Sequence, residues 1–148
     1  GFVLPEVIVS DAVQIIPDAT LYHFGVLESN IHMAWIRTVA GRFGVGYRYS
    51  KDIVYNNFPW PEPNEEQRLE VEKTAQEILD AREKYPDCSL ADLYDPVAMP
   101  IELRNAHRNN DKAVMAAYGI KRGHPAFDNE FACVEFLMKL YQKIVASL

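Results

Sequence analysis

Basic and aromatic side chains are interleaved in one stretch of the sequence, from residue 29 to residue 51, which contains no aspartate or glutamate. It carries one histidine and four permanently cationic side chains: His32, Arg37, Arg42, Arg48 and Lys51. Tyr47 and Tyr49 flank Arg48. Such a stretch, called here the cationic window, suits contact with the phosphates or base edges of a nucleic acid. It also fits a solvated helix face followed by a tyrosine-rich strand, so the residues alone leave both interpretations open.

Three closely spaced glycines within this window, Gly41, Gly44 and Gly46, are similar in spacing to a phosphate-binding loop. Phosphate-binding loops follow a strand and open a helix, whose N-terminus then faces the anion. Here the glycines follow a predicted helix and enter a predicted strand. We therefore interpret them as a helix end and a turn, which still allows the backbone to lie close to DNA.

The segment Asn57-Phe58-Pro59-Trp60 is similar to the Asn-Pro-Pro-aromatic motif of amino-methylating DNA methyltransferases, which bind a flipped-out base. Phe58 stands where that motif has its first proline, and no glycine-rich cofactor motif precedes the segment at the end of a strand. We interpret Phe58 and Trp60 instead as side chains that hold a connector against the helical part of the chain.

Metal and thiol chemistry have weak support in the sequence. His107 and Asp111 are four residues apart on a predicted helix and share a face, but the spacing supplies no third ligand. We expect hydrogen bonds there rather than a metal ion. Cys88 and Cys133 are expected to be reduced thiols in a cytoplasmic protein. No catalytic residue and no cofactor or metal of its own is therefore expected in this chain.

The elements that must position these residues change in character at the proline-rich segment 58–63. Short β-branched runs before it predict strands, with one helix from about Asn30 to Arg42 that Ser29 caps. Its alternate prolines predict an extended connector. Helical periodicity after it predicts three long helices. The sequence thus predicts an α+β fold, with a strand-and-helix part over residues 1–62 and a small all-helical part over residues 63–148.

Composition limits the function classes. The chain has 148 residues, a net charge of −6, 49% hydrophobic residues and 24% charged residues, which is typical of a globular protein. Its acidity disfavours a generally basic nucleic-acid binder but not a local basic patch. No apolar run approaches the roughly 18 residues that a membrane-spanning helix needs, so we expect no membrane association. Because the chain opens on Gly1, we expect it to be a piece of a longer polypeptide.

Three long segments carry a resemblance to a known family: SNIHMAWIRTVAGR (29–42), YRYSKDIVYNNFPWP (47–61) and SLADLYDPVAMPIELRNAHRNNDKAVMAAYG (89–119). In this order they resemble the C-terminal part of the MmeI-like DNA methyltransferases of type IIG and IIL restriction-modification systems. The resemblance implies that residues 1–62 end a target-recognition domain and that residues 63–148 form a helical C-terminal domain. It also implies a parent enzyme that methylates adenine N6 with S-adenosylmethionine and, in some members, cleaves DNA.

The resemblance implies two partners, double-stranded DNA and the N-terminal methyltransferase domain of the same polypeptide. It places base readout at five positions: Gly44, Gly46, Tyr47, Arg48 and Tyr49. Arg48 suits a bidentate contact to guanine, whereas the two glycines can read DNA only through backbone groups, neighbours or water. We expect phosphate contacts at Arg37, Arg42 and Lys51. The alternative is a helical docking domain without DNA contacts, since residues 63–148 hold 11 cations and 15 carboxylates, a net −4.

Overall fold

The computed structural model describes residues 20–43 and 58–148, which form six helices. In chain order these are α1 (Leu21–Leu27), α2 (Asn30–Phe43), α3 (Glu65–Glu83), α4 (Leu90–Leu93), α5 (Ile101–Ala117) and α6 (Glu130–Ala146). Within these two ranges, no helix is both long enough and apolar enough to span a membrane.

The predicted α+β class is wrong, because the described residues contain helices and no strand. The β-branched runs that suggested strands (7–9, 13–16 and 53–55) lie outside the described residues. The described part of residues 1–62 instead forms α1 and α2, whose buried side chains include Val26, Leu27, Ile31 and Trp35. The last three of these are four residues apart, which is helical rather than strand periodicity.

Local sequence signals set the helix ends. Asn64 caps α3: its side chain accepts a hydrogen bond from the Gln67 backbone N–H at 2.8 Å, and the Gln67 side chain accepts from the Asn64 N–H at 3.0 Å. Gly119, with φ +80°, follows the end of α5 in the left-handed conformation that glycine favours. Asn129 caps α6, its side chain accepting a hydrogen bond from the Ala132 N–H at 3.0 Å.

A close helix crossing at Gly25 joins α1 to α3 and α5. A Cβ atom on Gly25 would lie 2.7 Å from Val71 Cγ1 and 3.0 Å from Asn110 Oδ1. The buried Asn110 side chain donates from Nδ2 to the Gly25 carbonyl at 2.7 Å and accepts from Thr74 Oγ1 at 2.9 Å. Buried polar groups that are fully paired fix one packing geometry, so this contact sets how α1 lies on the other two helices.

The main apolar core is shared by both sides of the proline-rich segment. Side chains from α1 and α2 (Val26, Ile31 and Trp35) pack in one cluster with Val71, Val114 and Leu137 of α3, α5 and α6. A second cluster contains Ile78, Leu93, Leu103 and Ala106 and joins α3, α4 and α5. The two helices of the first part are therefore held by the helices of the second.

We expect Gly25→Ala to lower the free energy of unfolding by up to about 2 kcal/mol. The usual cost of overpacking is about 1–3 kcal/mol, and the roughly 1 kcal/mol that alanine gains over glycine in helix propensity offsets part of it. Chemical denaturation measures it. The matched control is the double variant Gly25→Ala/Val71→Ala, because Val71→Ala removes the nearest clashing atom. The two single losses should therefore not add in the double variant, and strict additivity would contradict the close-crossing explanation.

Candidate nucleic-acid interface

Helix α2 begins at a buried turn and is anchored there from α5. Ser29 caps the helix as predicted, since its Oγ accepts a hydrogen bond from the His32 N–H at 3.3 Å. The same hydroxyl donates to the Val26 carbonyl at 2.6 Å. The Asn30 N–H at the first turn donates to Asp111 Oδ1 of α5 at 2.9 Å. The start of α2 is thus fixed to the two neighbouring helices.

Asp111 is a partly dehydrated carboxyl. Burial raises its pKa from 3.8 to about 6, and the hydrogen bond from Asn30 opposes this shift only in part. A carboxylate at a helix N-terminus is favourable, but here the cost of removing it from water is larger. Burial therefore favours the protonated form of Asp111 in the fold, although the hydrogen bond from Asn30 by itself favours the carboxylate.

The buried face of α2 packs against Phe58, the first residue after the undescribed segment 44–57. The Phe58 ring is 4.6 Å from the His32 ring and 6.0 Å from the Trp35 ring, measured between centroids. Burial lowers the pKa of His32 from 6.5 to about 3. His32 is therefore neutral at pH 7 and adds no positive charge to the cationic window, although the sequence interpretation had counted it there.

The connector after Phe58 is held against the helices, as the sequence interpretation expected. Phe58 is only 4% exposed. Tyr118 Oη of α5 donates to the Pro59 carbonyl at 2.6 Å. The Trp60 ring lies 5.6 Å from the His23 ring of α1 in an edge-on contact. A phenylalanine buried in this way packs in the core and is not presented to a flipped-out base.

The chain leaves the described structure at Phe43, the last residue of α2, and re-enters at Phe58 against the buried face of the same helix. Residues 44–57 are therefore tied to α2 at both ends. All five base-reading positions predicted from the sequence lie among these residues. The two described residues that flank this segment, Phe43 and Phe58, therefore both lie at α2.

Among the predicted phosphate contacts, Arg37 is the one whose side chain the structure describes. It forms an ion pair with Glu130 at the start of α6, and both side chains are more than half exposed (55% and 57%). Such exposed pairs contribute little to stability, so a phosphate can compete with Glu130 for Arg37. Arg42 lies in α2, and its side chain is outside the described residues. The remaining predicted site residues also lie outside them: Gly44, Gly46, Tyr47, Arg48, Tyr49 and Lys51.

His107 and Asp111, considered as a metal pair, have different hydrogen-bond partners. His107 Nε2 lies 2.6 Å from Tyr94 Oη, whereas Asp111 accepts from the Asn30 N–H. In residues 20–43 and 58–148 no cluster of three or more histidine, cysteine, aspartate or glutamate side chains could hold a metal ion. Within the described part, the two side chains join helices.

A buried polar network that the sequence did not predict fixes the end of α1. Arg82 Nη2 donates to Glu28 Oε1 at 3.0 Å and to Tyr94 Oη at 2.7 Å. Since Arg82 supplies these hydrogens, the Tyr94 hydroxyl is left to donate to His107 Nε2. Burial, and then the charge of Arg82, lower the pKa of His107 to about 4. No local spacing signals this network, because its members come from four separate segments.

Two family models match the chain, one described as the MmeI target recognition domain over residues 1–62 and one as the MmeI C-terminal domain over residues 63–148. The chain belongs to the MmeI family. The residues matched by the target recognition model include α1 and α2, whose apolar side chains pack on helices from the C-terminal model. In this MmeI-family chain, the two parts therefore share a core.

Two known proteins are similar over most of this chain. DNA methyltransferase A of Bacillus subtilis (strain 168) is 41% identical over 144 residues, covering 97% of this chain and 16% of the relative. The solved structure of the type IIL restriction-modification enzyme MmeI in complex with DNA matches with a TM-score of 0.79 and 47% identity. That match covers 88% of this chain and 17% of the solved chain. The chain thus spans about a sixth of each relative.

We expect Asp111→Asn to change how stability depends on pH. Because the folded pKa of Asp111 (about 6) lies above the ordinary value of 3.8, its protonated form stabilises the fold, and this contribution is lost as pH rises from about 4 to about 6. Asparagine retains the acceptor oxygen without the titration. The unfolding free energy of the wild type minus that of the variant should fall across this range and stay constant above it.

Denaturant unfolding at a series of pH values measures this difference in unfolding free energy. His32 and His107 titrate in both proteins, so their contributions cancel in the difference. Asp87→Asn is the matched control, since Asp87 is exposed in the loop after α3. It reports the effect of the same carboxyl-to-amide change at a site that is not buried. A difference that rises with pH between 4 and 6 for Asp111→Asn would show that Asp111 is not stabilised in its neutral form.

Proposed function

We propose that this chain is the DNA-recognition part of a longer, site-specific DNA methyltransferase of a restriction-modification system. The observation that carries the proposal is the match to the MmeI complex with DNA over 88% of the chain at 47% identity. The acid-free cationic window at residues 29–51 supports it independently. Because the chain spans a sixth of its relatives, the activity belongs to the parent protein, and recognition is the contribution proposed for this chain.

The geometry supports separate roles for helix α2 and for segment 44–57. Helix α2, anchored by Asp111, Ser29 and Phe58, is proposed to support the base-reading segment 44–57. In this segment Arg48 is proposed to contact a guanine through O6 and N7, with Tyr47, Tyr49 and the backbone of Gly44 and Gly46 beside it. Arg37, Arg42 and Lys51 are proposed to bind phosphates, which set the register of the protein on the duplex.

The proposed parent reaction is transfer of a methyl group from S-adenosylmethionine to adenine N6. In the part of the chain that the structure describes, no glycine-rich turn joins a strand to a helix, so the residues here do not fit that cofactor. We place the cofactor in the N-terminal methyltransferase domain of the same polypeptide, a proposed partner of this chain. Residues 20–148 are proposed to act by binding and positioning DNA.

The second candidate function is a docking module that contacts protein rather than DNA. It is favoured by one observation: Glu77, Asp80 and Glu102 line a groove of about 370 Å³ between α3 and α5. An acidic groove repels phosphates and suits a basic protein surface. Titration of duplex DNA at several salt concentrations separates the two functions, because neutralising phosphates makes affinity fall steeply with salt.

We expect Arg48→Ala in the full-length enzyme to relax specificity at one base pair. A bidentate contact to guanine contributes about 1–3 kcal/mol of discrimination, or about five- to 150-fold. Methylation rates on the cognate duplex and on duplexes changed at single positions measure the effect. Lys51→Ala is the control, since losing a phosphate contact should slow the methylation of all duplexes alike. An Arg48→Ala enzyme with unchanged rates at every position would remove Arg48 from base readout.

We expect Arg37→Gln to weaken binding equally on cognate and unrelated duplexes and to lower the slope of log affinity against log salt by about 0.9. Glu130→Gln should instead strengthen DNA binding, because it removes the carboxylate that competes for Arg37. In the double variant, the effect of Glu130→Gln should shrink. If Glu130→Gln acts equally with and without Arg37, the ion pair plays no part in DNA binding.

A further inference from the structure

A second acid-poor stretch of the sequence runs from residue 103 to residue 127, along α5 and the loop that follows it. Asp111 is its one carboxylate. Five lysine and arginine side chains lie in it: Arg104, Arg108, Lys112, Lys121 and Arg122. Five cations minus one carboxylate give the stretch a net charge of +4, in a chain whose net charge is −6. The interpretation of the sequence centred on the cationic window and did not include this stretch.

Three of these cations share one face of α5. Arg104, Arg108 and Lys112 are four residues apart, so they follow one another along the helix over about 12 Å. Arg108 and Lys112 are exposed, and Arg104 is half-buried, with Nη2 donating to the Pro96 carbonyl at 3.2 Å. Lys121 and Arg122 are exposed in the loop after α5. All five are called here the α5 basic surface.

The members of the α5 basic surface form no ion pair with a carboxylate in residues 20–43 and 58–148. The other arginines whose side chains the structure describes all do: Arg37 with Glu130, Arg68 with Glu65, and Arg82 with Glu28. Cations that are not paired within the fold remain available to an anionic partner. A polyanion that binds them gains entropy by releasing its own counterions.

The α5 basic surface lies beside helix α2, which is proposed to support the base-reading segment. Asp111, next to Lys112 in the chain, accepts the Asn30 N–H at the start of α2. A cavity of about 310 Å³ is lined by residues of α2, α5 and the loop together, including Asn30, Met115 and Phe127, and also by the carboxylates Asp128 and Glu130. Helix α2 is therefore flanked by the basic face of α5 and by the loop that carries Lys121 and Arg122.

Carboxylates line a different part of α5. The acidic groove between α3 and α5 is lined by Glu77, Asp80 and Glu102 together with one lysine, Lys84, and it includes none of the five cations of the α5 basic surface. The surface of α5 is therefore divided into an acidic side that faces α3 and a basic side. A duplex would be attracted by the basic side and repelled by the groove, which gives the bound DNA one orientation on this part of the protein.

We infer that the α5 basic surface is a second DNA contact, which binds the phosphate backbone next to the base-reading segment. This inference rests on the proposed function. Contacts to phosphate carry no sequence information, so this surface adds affinity and register rather than choice of site. It also explains how a chain of net negative charge presents enough positive charge to a duplex, since the cations are concentrated at two places.

The test uses the full-length enzyme with Arg108→Gln/Lys112→Gln, measured by duplex titration across a range of salt concentrations. Neither side chain has a hydrogen bond or ion pair within the described residues, and glutamine is a good helix former, so thermal unfolding should be unchanged. We expect the slope of log affinity against log salt to fall by about 1.8, or about 0.9 for each lost phosphate contact. The loss of affinity should be the same on cognate and unrelated duplexes.

The matched control is Lys73→Gln/Lys84→Gln, at a lysine of α3 and at the residue that follows this helix, which makes the same change of charge at exposed lysines outside the α5 basic surface. It should leave the slope unchanged. If the wild type shows a steep slope and Arg108→Gln/Lys112→Gln retains it, or if both double variants lower it equally, the inference is overturned while the proposed function stands. If the wild-type enzyme has no salt-dependent affinity for duplex DNA, the proposed function fails, and this inference fails with it.

Discussion

The absence of a side chain at Gly25 is the constraint on which the rest of the structure depends. It lets α1 approach α3 until a Cβ would be 2.7 Å from Val71 Cγ1, and it leaves the Gly25 carbonyl open to Asn110. Helix α1 ends in a buried turn, Glu28–Ser29, from which α2 begins at once. The position of α1 therefore sets the starting point of α2, and α2 sets where residues 44–57 leave and rejoin the fold.

The buried turn combines two kinds of interaction. Glu28 is almost inaccessible, and breaking a buried charge pair costs several kcal/mol because it leaves the other charge uncompensated. Arg82 is the partner here, and it is itself held by Tyr94. Such a pair adds little net stability compared with apolar packing, but it permits only one arrangement of the helices it joins. Base recognition needs such a single arrangement of the helices, because a side chain that contacts a base must be held within about 0.5 Å of its productive position.

How much of this could be predicted from the sequence depended on the range of the signals. A local signal was read correctly: Ser29 was predicted to cap α2, and its hydroxyl accepts the His32 N–H three residues later. The fold class was wrong, since the described residues form helices and no strand. Sequence reasoning also missed α1, whose short, aromatic and glycine-containing sequence packs closely on α3. Long-range pairs such as Glu28–Arg82 and Asp111–Asn30 leave no trace in spacing, so sequence reasoning could not find them.

In the candidate site, too, the sequence reveals local features but not the effects of long-range contacts. The cationic window was visible as a run without carboxylates, but its true charge was not, because the burial that makes His32 neutral depends on Phe58, 26 positions later in the chain. Arg37 looked unopposed in the sequence and is paired with Glu130 in the fold. Conversely, cations spread over residues 104–122 become one surface only when α5 brings three of them to one face. Counting charges along a sequence therefore finds candidates, whereas burial and pairing decide which of them remain available to an anionic partner.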